Sequence, residues 1–293
     1  MMITVFTPTY NRKDTLPRLY DSLLRQTSKD FEWLIVDDGS QDNTDEIVQE
    51  WVNENKILIS YYKKENGGKH RAINMGLKFA KGELFFIVDS DDYLTDNSLE
   101  YLINKSSLLT DEIIGIAPRK GYNNSRLVGK EFPTDSFISN HIEKTYKLNL
   151  KGDLAEVVKT DILRQFPFPD FQGENFCAES LLWNKLANSN FKFIYDNTLI
   201  YICEYLEGGL TANSLKNRRK SASYASLLYK ELAESEYLPF KQKVRTYLNY
   251  WRFAFFTRRS ILGNFRFLNY NFLAFLTFPI GVLLKLNDDR KLK

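Results

Sequence analysis

Three carboxylates fall within four residues at Asp89-Ser90-Asp91-Asp92, directly after the apolar run Leu84-Phe85-Phe86-Ile87-Val88. Acids packed this closely repel one another unless positive charge sits among them. Clustered oxygen ligands suit a hard divalent ion, magnesium or manganese, often one that also holds phosphates. A second acidic pair opens the loop Asp37-Asp38-Gly39-Ser40-Gln41-Asp42-Asn43-Thr44, and a glycine pair runs into a basic helix start at Asn66-Gly67-Gly68-Lys69-His70-Arg71. Bare main-chain N–H groups beside Lys69 and Arg71 suit a diphosphate. Each segment also has a plainer reading. Asp and Ser cap helices, and Asp96 or Ser98 stands ahead of Leu99 and Leu102. Asp-Gly and Ser form turns, and the glycine segment has neither P-loop nor GxGxxG spacing. Capping needs one acid rather than three, and turn chemistry explains Gly39 and Ser40 better than two successive acids.

Alternating elements position these groups. Apolar runs predict strands over residues 3–6, 31–36, 57–61, 84–88 and 113–117. Helical spacing links Leu16, Leu19, Tyr20, Leu23 and Leu24, a helix capped by Thr44 carries Ile47, Val48, Trp51 and Val52, and a third spans 69–80. Strands alternating with helices imply an α/β fold with a mostly parallel sheet flanked by helices. The strand exits of a parallel sheet share an edge, so Thr7-Pro8-Thr9-Tyr10-Asn11, the Asp37-Asp38 loop and the acidic cluster converge on one crevice. Residues 118–149 read as loops or short elements, 153–164 and 179–187 as helices, 191–195 and 199–204 as short strands, and the chain beyond Leu215 as helical.

The 293 residues suffice for one large domain or two modest ones, and the 43% hydrophobic content is that of a soluble protein. Cys177 and Cys203 can form no disulfide framework and lack metal-ligand spacing, which suits a reducing cytoplasm and packed, inert thiols. His70 and His141 are too few for a histidine metal site. The start lacks the basic flank of a signal peptide, and no segment has the ~18 uncharged apolar residues of a membrane span. Net charge is +3, unevenly placed: residues 216–293 hold sixteen Lys or Arg against five Asp or Glu, leaving −8 on residues 1–215. Such asymmetry points to an anionic partner, nucleic acid or membrane.

Taken together, the Thr-Pro-Thr-Tyr-Asn start, the Val-Asp-Asp-Gly-Ser-x-Asp-x-Thr loop, the Asn-x-Gly and Ala-x-Asn-x-Gly helix and the Asp-x-Asp cluster make the chain resemble an inverting family 2 glycosyltransferase of the GT-A (Rossmann-like) fold. The resemblance covers the first 120 residues. It implies that Pro8 and Tyr10 flank the uracil of a UDP-sugar, with Thr9 and Asn11 in the same loop, and that Asp38 accepts a hydrogen bond from the ring. Gly68, Lys69 and Arg71 would lie near base or diphosphate. Asp91 would ligate a divalent metal (Mn or Mg), with Asp89 at the ribose or a metal-bound water, Ser90 as a further donor-binding residue of the same cluster, and Asp92 as a further ligand or orienting group. The general base is expected at Glu179, in Phe176-Cys177-Ala178-Glu179-Ser180-Leu181, where Ser180 replaces the second acid of the usual pair. A helix-dipole role is the plain alternative for Glu179, Glu174 is its competitor, and Asp153 is an acceptor-site or structural residue.

The implied organisation is a GT-A domain over 1–215, with a nucleotide-binding half (1–117) and an acceptor-binding half (118–215), then a basic aromatic helical C-terminal extension over 216–293. In that extension Tyr247, Tyr250, Trp251, Phe253, Phe255 and Phe256 alternate with Arg245, Arg252, Arg258 and Arg259, and residues 272–284 are a largely apolar run broken by Pro279 and Gly281. Either these aromatics pack on the protein, or they dip into a headgroup boundary while the basic residues meet anionic lipid. The glycosyltransferase motifs and the acidic front half argue against nucleic acid. The expected activity is transfer of one sugar (hexosyl or N-acetylhexosaminyl) from a UDP-sugar to a glycan acceptor, lipid-linked, in bacterial surface polysaccharide synthesis. The expected setting is cytoplasmic, peripheral on the cytoplasmic face of the membrane. A soluble or protein acceptor, and a nucleotide-sugar-binding protein without turnover, are the alternatives.

Overall fold

The computed structural model describes residues 1–122, 126–203 and 214–291. In order these form β1 (Ile3–Thr9), α1 (Leu16–Leu24), β2 (Phe31–Asp37), α2 (Thr44–Glu54), β3 (Ile59–Lys63), α3 (Lys69–Phe79), β4 (Leu84–Ile87), β5 (Tyr93–Leu94), α4 (Ser98–Ser106), β6 (Ile113–Tyr122), β7 (Arg126–Leu127) and β8 (Ser136–Ser139). A π-helical turn (Glu143–Lys147) precedes β9 (Val157–Lys159), α5 (Thr160–Arg164), α6 (Ser180–Asn188) and β10 (Lys192–Ile202). Then come α7 (Ser214–Lys220), α8 (Ala222–Glu234), α9 (Phe240–Ala254), α10 (Ile261–Phe267) and α11 (Phe272–Lys291). Two compact units interleave along the chain: described residues of 1–140, 150–167 and 190–203 make one, and those of 141–149, 168–189 and 214–291 the other.

The first unit holds the whole sheet, in the order β3-β2-β1-β4-β9-β6-β10-β5, with β7 on β6 and β8 on β10. The segment β3-β2-β1-β4 is parallel. β1 and β2 are buried along all seven residues, which is why they read as apolar runs rather than alternating strands. The chain builds outward from β1 through β2 to β3, then returns to place β4 on the other side of β1. Ligand crevices in open α/β sheets form where the strand order reverses in this way. Here the gap has a visible cause. β1 pairs with β2 as far as Thr9, but with β4 only as far as Phe6, so Pro8, which has no N–H to donate, lies past the last β4 partner.

Helix α3 lies close against β1 because position 76 is glycine; a Cβ there would come within 2.2 Å of the Phe6 ring. Helix α2 begins one residue earlier than a Thr44 cap implies. Asn43 takes the cap position in the left-handed region, and the Thr44 hydroxyl instead bonds Asp42 at 2.5 Å.

Beyond β4 the sheet is mixed. Residues 157–159, inside the segment read as one helix, are strand β9, running antiparallel between β4 and β6. Val157 and Val158 are β-branched and fully buried there, so pairing in the sheet outweighs their helical spacing, and the helix shrinks to Thr160–Arg164. The two short strands expected after residue 190 are one strand, β10, with register shifts between Tyr195 and Leu199 and between Leu199 and Tyr201. The 118–149 stretch contributes the end of β6 as well as β7 and β8. Its buried Arg119 donates to the Val128 carbonyl at 2.6 Å and lies over the Phe132 ring. Of the strand expected over 199–204, residue 204 lies outside the described residues.

The second unit is helical. Tyr247, Tyr250, Trp251 and Phe253 of α9 are buried in its own core with Phe265 and Ala274, so these aromatics are packing residues and do not reach a headgroup layer. Gly281 lets α11 pass tightly over α9, since a Cβ would come within 2.3 Å of Trp251 Cβ. The Trp251 indole N–H donates to the Ala274 carbonyl at 3.0 Å. Arg252 grips Asp288 with two bonds, at 2.7 and 2.9 Å, and Arg219 pairs with Asp289 at 3.0 Å. Two of the acids in the basic segment thus hold α11 in place.

Candidate active site

The acidic cluster forms a tight turn at the exit of β4, closed by the Asp92 N–H on the Asp89 carbonyl at 3.1 Å. Its carbonyls are held from the α1 side: the Thr15 hydroxyl donates to Ser90 O at 3.0 Å, and Arg18 donates to Asp91 O at 2.6 Å. Ser90 itself is buried. Lys69, the first residue of α3, bonds the Asp89 carboxylate at 2.5 Å, joining the glycine segment to the acidic turn. Burial alone would raise the Asp89 carboxyl, but the ammonium groups of Lys69 and Lys120 hold it below its usual range. Asp91 is shifted the other way, by burial and then by the charge of Asp89, with Arg12 at 3.8 Å opposing. The Asp92 carboxylate accepts the Tyr201 hydroxyl at 2.7 Å.

The successive acids after β2 divide their work. Asp37 accepts the Ser40 N–H at 2.7 Å and the Tyr61 hydroxyl at 2.6 Å, so it shapes its own loop. Asp38 reaches across to the glycine pair, accepting Gly67 N–H at 2.9 Å, Gly68 N–H at 2.6 Å and Lys64 at 2.5 Å. Gly68 has φ near +96°, where L side chains are strained, so a glycine is required before the first turn of α3. The Arg71 guanidinium folds back onto the Gly67 carbonyl. His70 is buried in the same helix.

At the exit of β1, Pro8 and Thr9 are buried and Tyr10 is 46% exposed, so Tyr10 alone of the three offers a ring face to an incoming ligand. Thr9 Oγ1 is buried with no hydrogen-bond partner among the described residues. Asn11 adopts positive φ and clips the first two loops together: its N–H donates to Ser40 Oγ and its side-chain oxygen accepts the Gln41 N–H, both at 2.8 Å. The structure therefore brings Tyr10, Asn11, Asp38, Gly68, Lys69, Arg71, Asp89, Ser90, Asp91 and Asp92 together within the sheet-bearing unit.

Glu179 belongs to the helical unit. It stands at the N-cap of α6, where its carbonyl accepts the Leu182 and Trp183 N–H groups and its side chain makes no capping bond. Glu174 does act as a cap, its carboxylate taking the Ser223 N–H at 3.0 Å and the Tyr224 N–H at 3.2 Å at the start of α8. Cys177, between them in sequence, is pushed up to about 12 by burial and stays a thiol; burial does the same to Cys203. His141 is pushed down to about 3 by burial and by Lys144, and is neutral.

A crevice at the β1/β4 reversal, acids at two strand exits and a glycine-lysine helix start have a counterpart among known proteins. The sequence pattern of the family described as Glycosyl transferase family 2 matches residues 4–166, more than half of the chain. The chain belongs to glycosyl transferase family 2. It is a glycosyltransferase. It is 30% identical over 191 residues to the Escherichia coli UDP-Glc:alpha-D-GlcNAc-diphosphoundecaprenol beta-1,3-glucosyltransferase WfgD, covering 64% of this chain and 71% of that protein. It is 27% identical over 254 residues to the Campylobacter jejuni GalNAc(5)-diNAcBac-PP-undecaprenol beta-1,3-glucosyltransferase, covering 84% and 80% of the two chains. In fold it is similar to the crystal structure of residues 1–349 of TarS from S. aureus in complex with UDP-GlcNAc, with a TM-score of 0.67 at 21% identity over 96% of this chain and 79% of that one.

Within this glycosyltransferase the structure adds residues that local sequence signals do not reveal. Lys120 in β6 lies 4.1 Å over the Tyr201 ring; burial works against its charge, but Asp89 and Glu156 hold the ammonium above its usual range. Lys64, Arg12 and Tyr201 complete the surroundings of Asp38, Asp91 and Asp92. Lys120 and Tyr201 sit about 30 and 110 residues beyond the acidic cluster, and only the sheet order brings them to it. Among the described residues no three His, Cys, Asp or Glu side chains are grouped to hold a metal ion. Magnesium needs only one or two carboxylates when substrate phosphates complete its shell. Asp89 and Asp91 could supply those carboxylates, and a cation between them would relieve the part of the Asp91 rise that comes, after burial, from the Asp89 charge.

Proposed function

We propose that this glycosyltransferase moves one sugar from a UDP-sugar to a lipid-linked glycan acceptor with inversion, in surface polysaccharide assembly. The observation that carries the reading is the joined wall at the β1/β4 crevice, where Asp38 holds the glycine turn that aims Lys69 at the Asp89–Asp91 pair. The diphosphoundecaprenol substrates in the names of the E. coli and C. jejuni relatives support a lipid-linked acceptor. The UDP-GlcNAc complex of the similar fold is consistent with a UDP donor.

In this reading Tyr10 stacks on the uracil and Asp38 offers its less crowded oxygen, Oδ2, to the base. The Gly68 helix start and Lys69, with Arg71 behind them, meet the diphosphate. Asp89 and Asp91 would hold a divalent metal, which when bound neutralises charge developing on the departing diphosphate. Glu179 takes the proton of the attacking acceptor hydroxyl.

We also infer that the helical unit meets an anionic lipid surface. Among the described residues no helix is long and apolar enough to cross a membrane. Phe272, Leu276, Ile280 and Leu283 of α11 recur at helical spacing and are 52–72% exposed. Leu262 of α10 is 68% exposed, with the exposed Arg266 one turn on. A stripe of this kind, within a segment carrying a net +11, suits insertion beside acidic headgroups.

Release of UDP from a panel of UDP-sugars, with an undecaprenyl diphosphate-linked saccharide as acceptor and with or without manganese, tests the reading. Acceptor-dependent UDP release from one donor is the expected result. UDP binding without release in any combination would mark a binding protein, and turnover only with soluble acceptors would remove the lipid-linked assignment.

A further inference from the structure

We propose that Tyr201 is the positioning residue of the acidic turn, fixing the main chain at Asp89 and engaging Asp92, so that Asp92 serves the turn rather than the metal. The proposal rests on the donor-site reading and deepens it by naming what holds that site in shape.

Tyr201 is fully buried in β10, and both partners of its hydroxyl come from the turn. The phenol oxygen accepts the Asp89 N–H at 2.9 Å and donates to Asp92 Oδ2 at 2.7 Å. A buried tyrosine whose role was only to fill the core would need one partner from anywhere nearby. Here the first and last residues of one four-residue turn are bridged by a single oxygen. The same strand also grips the segment just after the turn, since Tyr201 pairs with Leu94 and Ile202 with Tyr93 in β5. The ring is fixed on two sides, by Phe86 of β4 at 6.2 Å between centroids and by the Lys120 ammonium at 4.1 Å. The register shift between Leu199 and Tyr201 falls just before this residue, and strand irregularities commonly re-aim a side chain beside an active site.

The consequence concerns Asp92. One of its oxygens receives a hydroxyl hydrogen bond inside a buried pocket, and the residue is only 7% exposed. Asp89 and Asp91 are then the two acids left to a metal, the number that a phosphate-bridged magnesium or manganese needs.

The experiment compares wild type, Tyr201→Phe, Asp92→Ala and Asp92→Asn in the full chain, with two readouts besides turnover. Hydrogen exchange at residues 89–92 reports whether the turn is held, and calorimetry of UDP with manganese reports whether the ligands are placed. Tyr201→Phe keeps the ring and loses only the oxygen. It is expected to speed exchange across the turn, to weaken UDP–manganese binding roughly ten-fold or more, the scale of a lost hydrogen bond to a charged group, and to lower the melting temperature, because the Asp89 N–H and the Asp92 carboxylate lose a buried partner. Asp92→Ala, which leaves the Tyr201–Asp89 bond in place, is expected to lose less than Tyr201→Phe, the double variant to be no worse than Tyr201→Phe, and Asp92→Asn, which keeps an acceptor oxygen, to retain more affinity than Asp92→Ala. Unchanged exchange and unchanged binding in Tyr201→Phe would overturn the proposal. So would a loss of manganese affinity in Asp92→Asn as complete as in Asp91→Asn, because Asp92 would then be a ligand. Wild-type protein that binds no UDP at all defeats the donor-site reading, while exchange at Asp89 still decides whether Tyr201 holds the turn.

Discussion

Asp38 and Gly68 are thirty residues apart, yet the carboxylate of one takes the main-chain N–H of the other at 2.6 Å, with Gly67 bound beside it at 2.9 Å. The acid at the exit of β2 thereby shapes the N-terminal turn of α3, the element that delivers Lys69 to Asp89. Asp38→Ala would leave buried N–H groups without an acceptor, at roughly 1–3 kcal/mol for each one unsatisfied. The expected outcome is a lower melting temperature together with at least ten-fold weaker UDP binding by calorimetry. UDP binding equal to that of the wild type would detach the glycine turn from the donor site.

Gly76→Ala tests how closely α3 must sit on β1. The added methyl meets the Phe6 ring, so either the ring or the helix must move. Overpacking of this kind costs roughly 1–3 kcal/mol. A loss of several degrees in melting temperature is expected, and UDP affinity should fall as well if the helix moves rather than the ring. A variant as stable as the wild type would show that the close approach is not needed.

Metal dependence separates Asp91 from its neighbours. A chelator is expected to abolish UDP release and added manganese to restore it. Asp91→Asn, which keeps the shape and removes the charge, should raise the manganese concentration for half-maximal release by at least ten-fold. Full release in the presence of chelator would remove the divalent ion from the scheme.

Glu179→Gln is expected to lower turnover by ~10²–10⁴, the range for loss of a general base, while leaving UDP binding by calorimetry unchanged. The glutamate side chain makes no capping bond at α6, so loss of a helix cap does not complicate the comparison. Unchanged turnover in this variant would assign the proton to another group; Glu174, already engaged at α8, is the next to test.

The exposed stripe of the helical unit makes a separate prediction. Leu262→Glu with Leu283→Glu places charge on side chains that are 68% and 65% exposed, so stability should change little. Co-sedimentation with phosphatidylglycerol vesicles is expected for the wild type at low salt, weaker at high salt as screening grows, and absent in the double variant. Equal sedimentation of variant and wild type would clear this face of the role.

Much of the first unit is legible in the residue order because its strands are buried on both faces. Trp33 to Val36 and Leu84 to Val88 are continuous apolar runs and Ile3 to Phe6 is broken only by Thr4, and such runs bounded by turn residues have few other solutions in a soluble protein. The acids and glycines of the site are equally legible because they cluster at the ends of those runs. Val157 and Val158 fail as a helix for the opposite reason: their spacing suits a helix, but partners from β4 and β6 decide their state. The C-terminal aromatics are ambiguous in sequence because burial and membrane contact use the same residue types. Packing resolves them one by one, sending Tyr250 and Trp251 inward and leaving Phe272 exposed.

The sequence alone was enough to specify the family, the parallel strands β1 to β4 and the chemical types at the crevice, since periodicity and local clustering are properties of neighbouring residues. Tertiary structure decided which of those groups face one another. It set Asp38 on the glycine turn rather than leaving it open, gave Glu174 a helix to cap, and brought Lys120 and Tyr201 to the acidic turn from strands far along the chain. Hydrogen bonds are directional and act over about 3 Å, so such partnerships exist only once the sheet order has placed distant strands side by side.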